Sequence, residues 1–186
     1  MATASLKKHL THLDEWQKMV NAGVFPPECH LELIQGEIID MAPIGPNHAG
    51  HVKRLNHFFT NLLQNIAITA VQDPLQLGDL SEPEPDFMIL RPVDDFYASR
   101  HPTAQDVLLL IEVADSSLAF DQNQKLRLYA MHGIPEYWLL NLNEACLEVY
   151  RKPRGEVYAE KTTLGSSDSI TLEKLPEITL QLSNIL

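Results

Sequence analysis

Three side chains that stand far apart in the sequence could do chemistry together. Asp86 follows Pro85 at the start of an apolar stretch. Glu112 closes the run Val107, Leu108, Leu109, Leu110, Ile111, and Lys125 lies on the helix that follows. An acid opening one strand and an acid closing the next can meet at one place in a sheet. With a lysine brought back by the next helix, they would make a divalent-metal site.

Their placement follows from the elements around them. The run before Glu112 is apolar without alternation and bounded by Asp106 and by Asp115, Ser116 and Ser117, which reads as a strand buried on both faces. Glu112 shares a face with Leu110 and Leu108. Ionised and buried, it needs a metal, a lysine or an opening into a cleft. Residues 85–90 read as a second strand of the same kind, and 91–106, with two prolines, as a loop. Asp121 fits an N-cap and Gln124 its capping-box partner, which predicts a helix over about 122–132 that stops at Gly133. Lys125 and Tyr129 then share a face. A lysine in a first turn opposes the helix dipole, and that mismatch points to function.

The rest of the chain supplies the frame. Residues 4–21 read as an amphipathic helix with Leu6, Leu10, Leu13 and Val20 on the docking face. A hairpin follows, 31–34 and 37–41 around a Gln35-Gly36 turn, with Ile34 opposite Glu37 and Glu32 opposite Ile39. Glu32 and Glu37 therefore share a face, turned either toward the metal site or toward water. Asn47 is an N-cap candidate for a long helix carrying Val52, Leu55, Phe59, Leu62, Leu63 and Ile66. His48 and His51 stand at its start, where a phosphate could approach, and they lack a nearby third metal ligand. Further strands are expected at 68–77 with a turn at Asp73-Pro74, at 136–141, at 147–150 and, as an edge, at 157–159. Cys29 and Cys146 have no metal-ligand spacing and read as free thiols. One mixed α/β domain over 1–186 accounts for the pattern: an N-terminal helical extension (1–30), a core (31–160) and an irregular tail packed on it (161–186).

Composition narrows the function. The chain has 186 residues, 45% hydrophobic and 21% charged, with no long apolar window and no signal-peptide core, so a cytoplasmic protein is expected. A net charge of −11 and an isoelectric point near 5.0 leave no surplus of cations for a duplex-binding face. Local basic patches remain at Lys53-Arg54 and at Arg151, Lys152 and Arg154, and a bound Mg²⁺ would offset part of the acidity.

Taken in order, these segments resemble a known family. Glu32-Leu33-Ile34-x-Gly36-Glu37, Met41-x-Pro43 followed by His48, Pro85-Asp86, Ile111-Glu112-Val113, Asp121 with Lys125 and Tyr129, and Gly133-Ile134 with Glu136-Tyr137-Trp138 are similar to the PD-(D/E)XK nuclease superfamily. More closely, they resemble its restriction-endonuclease-like family of largely uncharacterised bacterial proteins. The resemblance implies a central mixed β-sheet flanked by helices. It also implies Mg²⁺, or Mn²⁺ in its place, held by Asp86, Glu112 and the Val113 backbone carbonyl. Ala114 departs from the pattern, standing where the superfamily has its lysine. In this family the following helix provides that lysine, here Lys125, and Glu32, His48 and Tyr129 become supporting groups.

The expected activity is Mg²⁺-dependent hydrolysis of DNA phosphodiesters by Asp86, Glu112 and Lys125, with a homodimer expected by analogy with the superfamily. The alternative is a nuclease fold kept as a binding or assembly module, its site degenerate at Ala114. A minor third reading is hydrolysis of a small phosphate ester.

Overall fold

The fold is described from a computed structural model over residues 7–186. Six strands form one sheet in chain order: β3 (Ile68–Ala70), β4 (Phe87–Leu90), β5 (Val107–Ala114), β6 (Glu136–Asn141), β7 (Cys146–Arg154) and β8 (Val157–Leu164). Only β5 and β6 pair in parallel, with Ile111 opposite Trp138 and Glu112 opposite Leu139; the other pairs are antiparallel, so the sheet is mixed, as expected. Every residue of β4, β5 and β6 is buried, in keeping with central strands covered on both faces.

Strand alternation divides the core in two. One face packs on α2 (Pro46–Leu62), where Val52, Leu55 and Phe59 meet Phe87, Ile111 and Trp138. The other packs on α4 (Leu126–Met131), where Leu128 and Tyr129 meet Met88, Leu110 and Tyr137. Leu110 and Ala114 belong to the α4 side, and so does Glu112 between them.

The hairpin forms at the expected register, β1 (Leu31–Ile34) on β2 (Glu37–Asp40), with Ile34 opposite Glu37 and Glu32 opposite Ile39. Gln35 and Gly36 both have positive φ, 50° and 80°, as a tight hairpin turn demands. A Cβ on Gly36 would lie 2.7 Å from the Leu10 Cβ, so glycine is required there twice over.

Several sequence expectations give way to tertiary contacts. The first helix, α1 (Leu13–Asn21), is shorter than 4–21. Thr11 and Leu13 donate backbone N–H groups to the Gly36 and Asp79 carbonyls, so the chain before the helix runs along the hairpin. Leu13 and Trp16 dock on Leu33, whereas Leu10 and Val20 are exposed; Ala4, Ser5 and Leu6 lie outside the described residues. Gly45, followed by Pro46, caps α2 in place of Asn47. Strand β3 ends at Ala70, well short of 77. Strands β7 and β8 run on beyond the expected 147–150 and 157–159 because they pair along nearly their whole length.

The tail is more regular than expected. Strands β9 (Ser169–Thr171) and β10 (Thr179–Gln181) make a second hairpin, whose Ile170 and Leu180, with Leu172 and Ile178, cover the α2 side of the sheet. Each such side chain, taken fully out of water, contributes roughly 1.5–3 kcal/mol. Cys29 and Cys146 are free thiols. Among the described residues, no helix is long and apolar enough to cross a membrane.

Candidate active site

Asp86 and Glu112 meet because β4 and β5 are antiparallel and in register. Phe87 lies opposite Ile111, and one step outward sets Asp86 beside Glu112 on the α4 side. Two hydrogen bonds lock the pair: the Asp86 backbone N–H donates to Glu112 Oε2 at 3.2 Å, and the Val113 N–H donates to Asp86 Oδ2 at 2.9 Å. Both carboxylates are nearly closed off, with Glu112 2% and Asp86 8% exposed.

The helix after β5 differs from the expected 122–132. Helical geometry begins at α3 (Leu118–Phe120), passes through a π-helical turn at Asp121–Lys125 and continues as α4. Asp121 is thus a helical residue and no N-cap; its carboxylate accepts a 2.6 Å hydrogen bond from the Ser117 hydroxyl one turn earlier. Lys125 accordingly sits inside the helix, and its expected conflict with a first-turn dipole does not arise. The wide turn, a feature often found at functional sites, brings Asp121 and Lys125 inward together, each 3% exposed.

Lys125 Nζ donates to Glu112 Oε1 and to Glu32 Oε1, at 3.0 Å each, and the Tyr129 hydroxyl donates to Glu112 Oε1 at 2.6 Å. Glu32 arrives from β1, while Glu37, expected on the same face of the hairpin, points to solvent and pairs with Lys8. His48, in the first turn of α2, places Nε2 2.9 Å from Asp86 Oδ2, and Gln72 Nε2 donates to Asp86 Oδ1 at 3.3 Å. The structure therefore brings Glu32, His48, Asp86, Glu112, Lys125 and Tyr129 into one cluster. His51 stays out of it, its Nδ1 on the Asn47 carbonyl. Trp138 packs against Phe59 on the opposite face of the sheet.

Charge in this cluster is unbalanced. Glu32, Asp86, Glu112 and Asp121 are all buried, and Lys125 is the buried cation among them. Burial pushes the Glu112 carboxyl well above the ordinary range; Asp86, Asp121 and Glu32 add to the shift and Lys125 opposes it. Burial likewise raises Asp121, to about 6, against the pull of Lys125. For Lys125 burial works the other way, yet Glu112, Glu32 and Asp121 outweigh it and hold the ammonium more firmly protonated than usual. His48 is also raised, burial being outweighed by the hydrogen bond and charge of Asp86. Tyr129 stays a donor, since burial and Glu112 push its hydroxyl far up.

Glu32, His48, Asp86, Glu112, Asp121 and Lys125 line a cleft of about 440 Å³, together with Met41, Pro43 and Ile44 and with Asp115, Ser116 and Ser117. Sequence reasoning took Asp121 for an N-cap and Ser117 for a strand boundary, and so missed both as part of this lining. Asp121, Lys125 and Tyr129 recur at intervals of four, which was the available signal for a shared inward face.

The donor set suits a hard divalent cation. Among the described residues, no group of three or more His, Cys, Asp or Glu side chains is arranged to hold a metal ion. Mg²⁺, however, takes only one or two carboxylates and fills its shell with water and phosphate oxygens. Asp86 Oδ1 and Glu112 Oε2 each accept one hydrogen bond, at 3.3 and 3.2 Å, and a carboxylate oxygen so engaged keeps a second lone pair for a cation. Glu32 Oε2 is buried without a hydrogen-bond partner, a mark of a cluster with carboxylate oxygens to spare.

Comparison with known proteins adds to this geometry. A family model described as "Uma2: Putative restriction endonuclease" matches residues 13–183. Among curated proteins no match was found. A crystal structure of a putative nuclease belonging to DUF820, from Anabaena variabilis ATCC 29413, superposes with a TM-score of 0.70 at 18% identity, covering 94% of this chain and 96% of that one. At that identity the likeness concerns the fold, a mixed sheet flanked by helices.

Proposed function

As the chain belongs to the Uma2 family, whose model spans residues 13–183, we propose that it is a Mg²⁺-dependent nuclease hydrolysing DNA phosphodiesters at the Asp86–Glu112–Lys125 cluster. One observation carries this reading. Lys125 Nζ lies 3.0 Å from Glu112 Oε1, so a helix 13 residues downstream delivers the cation that Ala114, on the strand, does not. A degenerate scaffold has no need to bury an ammonium against two carboxylates, because desolvating such ions costs several kcal/mol each.

Asp86 and Glu112 would hold the metal, with the Val113 carbonyl beside them; when bound, Mg²⁺ supplies positive charge against the phosphate and activates water for attack. The remaining work falls to the chain. Tyr129 and Lys125 fix Glu112 from one side, and the Asp86 N–H fixes it from the other. His48 and the Val113 N–H hold Asp86. The Lys125 ammonium orients the attacking water and adds charge where the phosphate accumulates it. The first turn of α2, free of acidic side chains, opens on the same cleft and favours an anion.

The test pairs calorimetric titration of Mg²⁺ or Mn²⁺ with cleavage of plasmid and single-stranded DNA, on the wild type and on Asp86→Ala and Glu112→Ala. Metal binding and cleavage both lost in the variants support the reading. Metal binding indifferent to both substitutions, with no cleavage, overturns it in favour of a binding module. Light scattering of the same samples reads whether a homodimer forms.

A further inference from the structure

The shape and chemistry of the cleft say more about the form of its substrate. The reacting groups stand on a floor, Glu112 at 2% and Asp86 at 8% exposure, under a rim that includes Met41, Pro43 and Ile44. A volume of about 440 Å³ lies in the range of clefts that enclose small ligands. A duplex is a stiff rod, with a persistence length of about 50 nm, and its phosphates move only with the whole rod.

The charge of the cleft also argues against a duplex track within it. Among the lining residues Lys125 is the only lysine or arginine, and both its partners are carboxylates. Proteins that hold duplex DNA release counterions along a series of phosphate contacts, and each contact needs a cation. This cleft has Lys125 alone, too few for such a series.

The rim gives the positive indication. Ile44 is 44% exposed, next to Pro43 and Met41 in the sequence, so apolar side chains share the lining of one cleft with the buried carboxylates. In a duplex the bases are stacked and cannot touch such side chains, whereas an unpaired nucleotide offers a flat apolar face on one side and a phosphodiester on the other.

We propose, resting on the nuclease reading, that the cleft accepts unpaired DNA, a splayed nucleotide laying its base on Met41, Pro43 and Ile44 and its phosphodiester over Asp86 and Glu112. Such a substrate needs one site per cut and no symmetric pair of copies.

The experiment uses a fluorescein-labelled single-stranded oligonucleotide and its blunt duplex with the full-length protein in Mg²⁺. Wild type reads cleavage, and Glu112→Gln reads binding by anisotropy. Single strand should be bound and cut at least about tenfold better than duplex, the value of one base contact. The logarithm of its affinity should fall with the logarithm of salt at a slope of about −0.7 to −1.4, the mark of one or two phosphates. Ile44→Asp should weaken single-strand binding about tenfold with an unchanged melting temperature, and Ile44→Val should keep it. Duplex bound or cut as well as single strand overturns the proposal and leaves the nuclease reading standing. Preferential binding of single strand with no cleavage upholds the cleft assignment and sinks the nuclease reading. Failure to bind either form overturns the proposal.

Discussion

Strand β5 has a buried acid near each end, and the two are treated in opposite ways. Asp106, just before the strand, accepts hydrogen bonds from both Arg100 terminal nitrogens at 2.7 and 2.9 Å, and from the Thr103 N–H and hydroxyl at 2.8 and 2.9 Å. The Arg100 contact, with burial opposing and Thr103 assisting, brings its carboxyl down to about 2. Glu112, toward the far end, is pushed up by burial among like charges. Glu136, opening β6, resembles Asp106: fully buried, it is answered by Arg151, the Trp138 indole N–H and the Glu173 N–H. A structural acid is matched by donors until its charge is comfortable. At Glu112 the fold leaves an excess of negative charge facing a cleft, and the proposed metal site rests on that excess.

That contrast can be broken by substitution. Glu112→Gln should lower DNA cleavage about a thousandfold, on the order of 4 kcal/mol in barrier. In metal-free buffer its urea midpoint should equal or exceed that of wild type, because a crowded charge is removed. A large loss of stability would show that Glu112 is structural after all. Lys125→Met should cost roughly 3–5 kcal/mol of unfolding free energy, since Glu32 and Glu112 lose their buried counterion. Adding Glu32→Gln and Glu112→Gln to it should recover most of that stability and none of the activity. At the other end, Asp106→Asn should cost about 1–2 kcal/mol through its weakened hydrogen bonds, with cleavage unchanged.

The smallest effects separate the regions by the sign of a pH slope. Asp106 is depressed to about 2 from 3.8, so its stabilising effect is complete above 3.8 and disappears as pH falls through about 2. Asp121 is raised to about 6 from 3.8, so its effect is complete below 3.8 and is lost as pH rises through about 6. Urea midpoints of metal-free protein between pH 4 and 6 should therefore slope downward with pH, and Asp121→Asn should flatten that slope. An unchanged slope in the variant would remove Asp121 from the charge-crowded group.

What could be read in advance was local. The apolar runs around β4 and β5 announce central strands, and Gln35-Gly36 announces a hairpin at its observed register, because turn chemistry and side-chain alternation act over a few residues. The ordered motifs from Glu32 to Trp138 were sufficient for the family. What escaped were elements whose form depends on distant partners. Helix α1 starts at Leu13, where the Gly36 carbonyl takes the Thr11 N–H and the Asp79 carbonyl takes that of Leu13 itself. The tail becomes a hairpin because it has the α2 side of the sheet to cover.

Sequence by itself determined that two acids would stand on neighbouring strands, with a lysine and a tyrosine on the face of one helix. Tertiary structure alone decided what each of them meets. The π-helical turn aims Lys125 at Glu112, the hairpin brings Glu32 from 93 residues away, and α2 sets His48 against Asp86. Local propensity cannot specify these meetings, because their energies exist only once the packed sheet has removed water from between the charges.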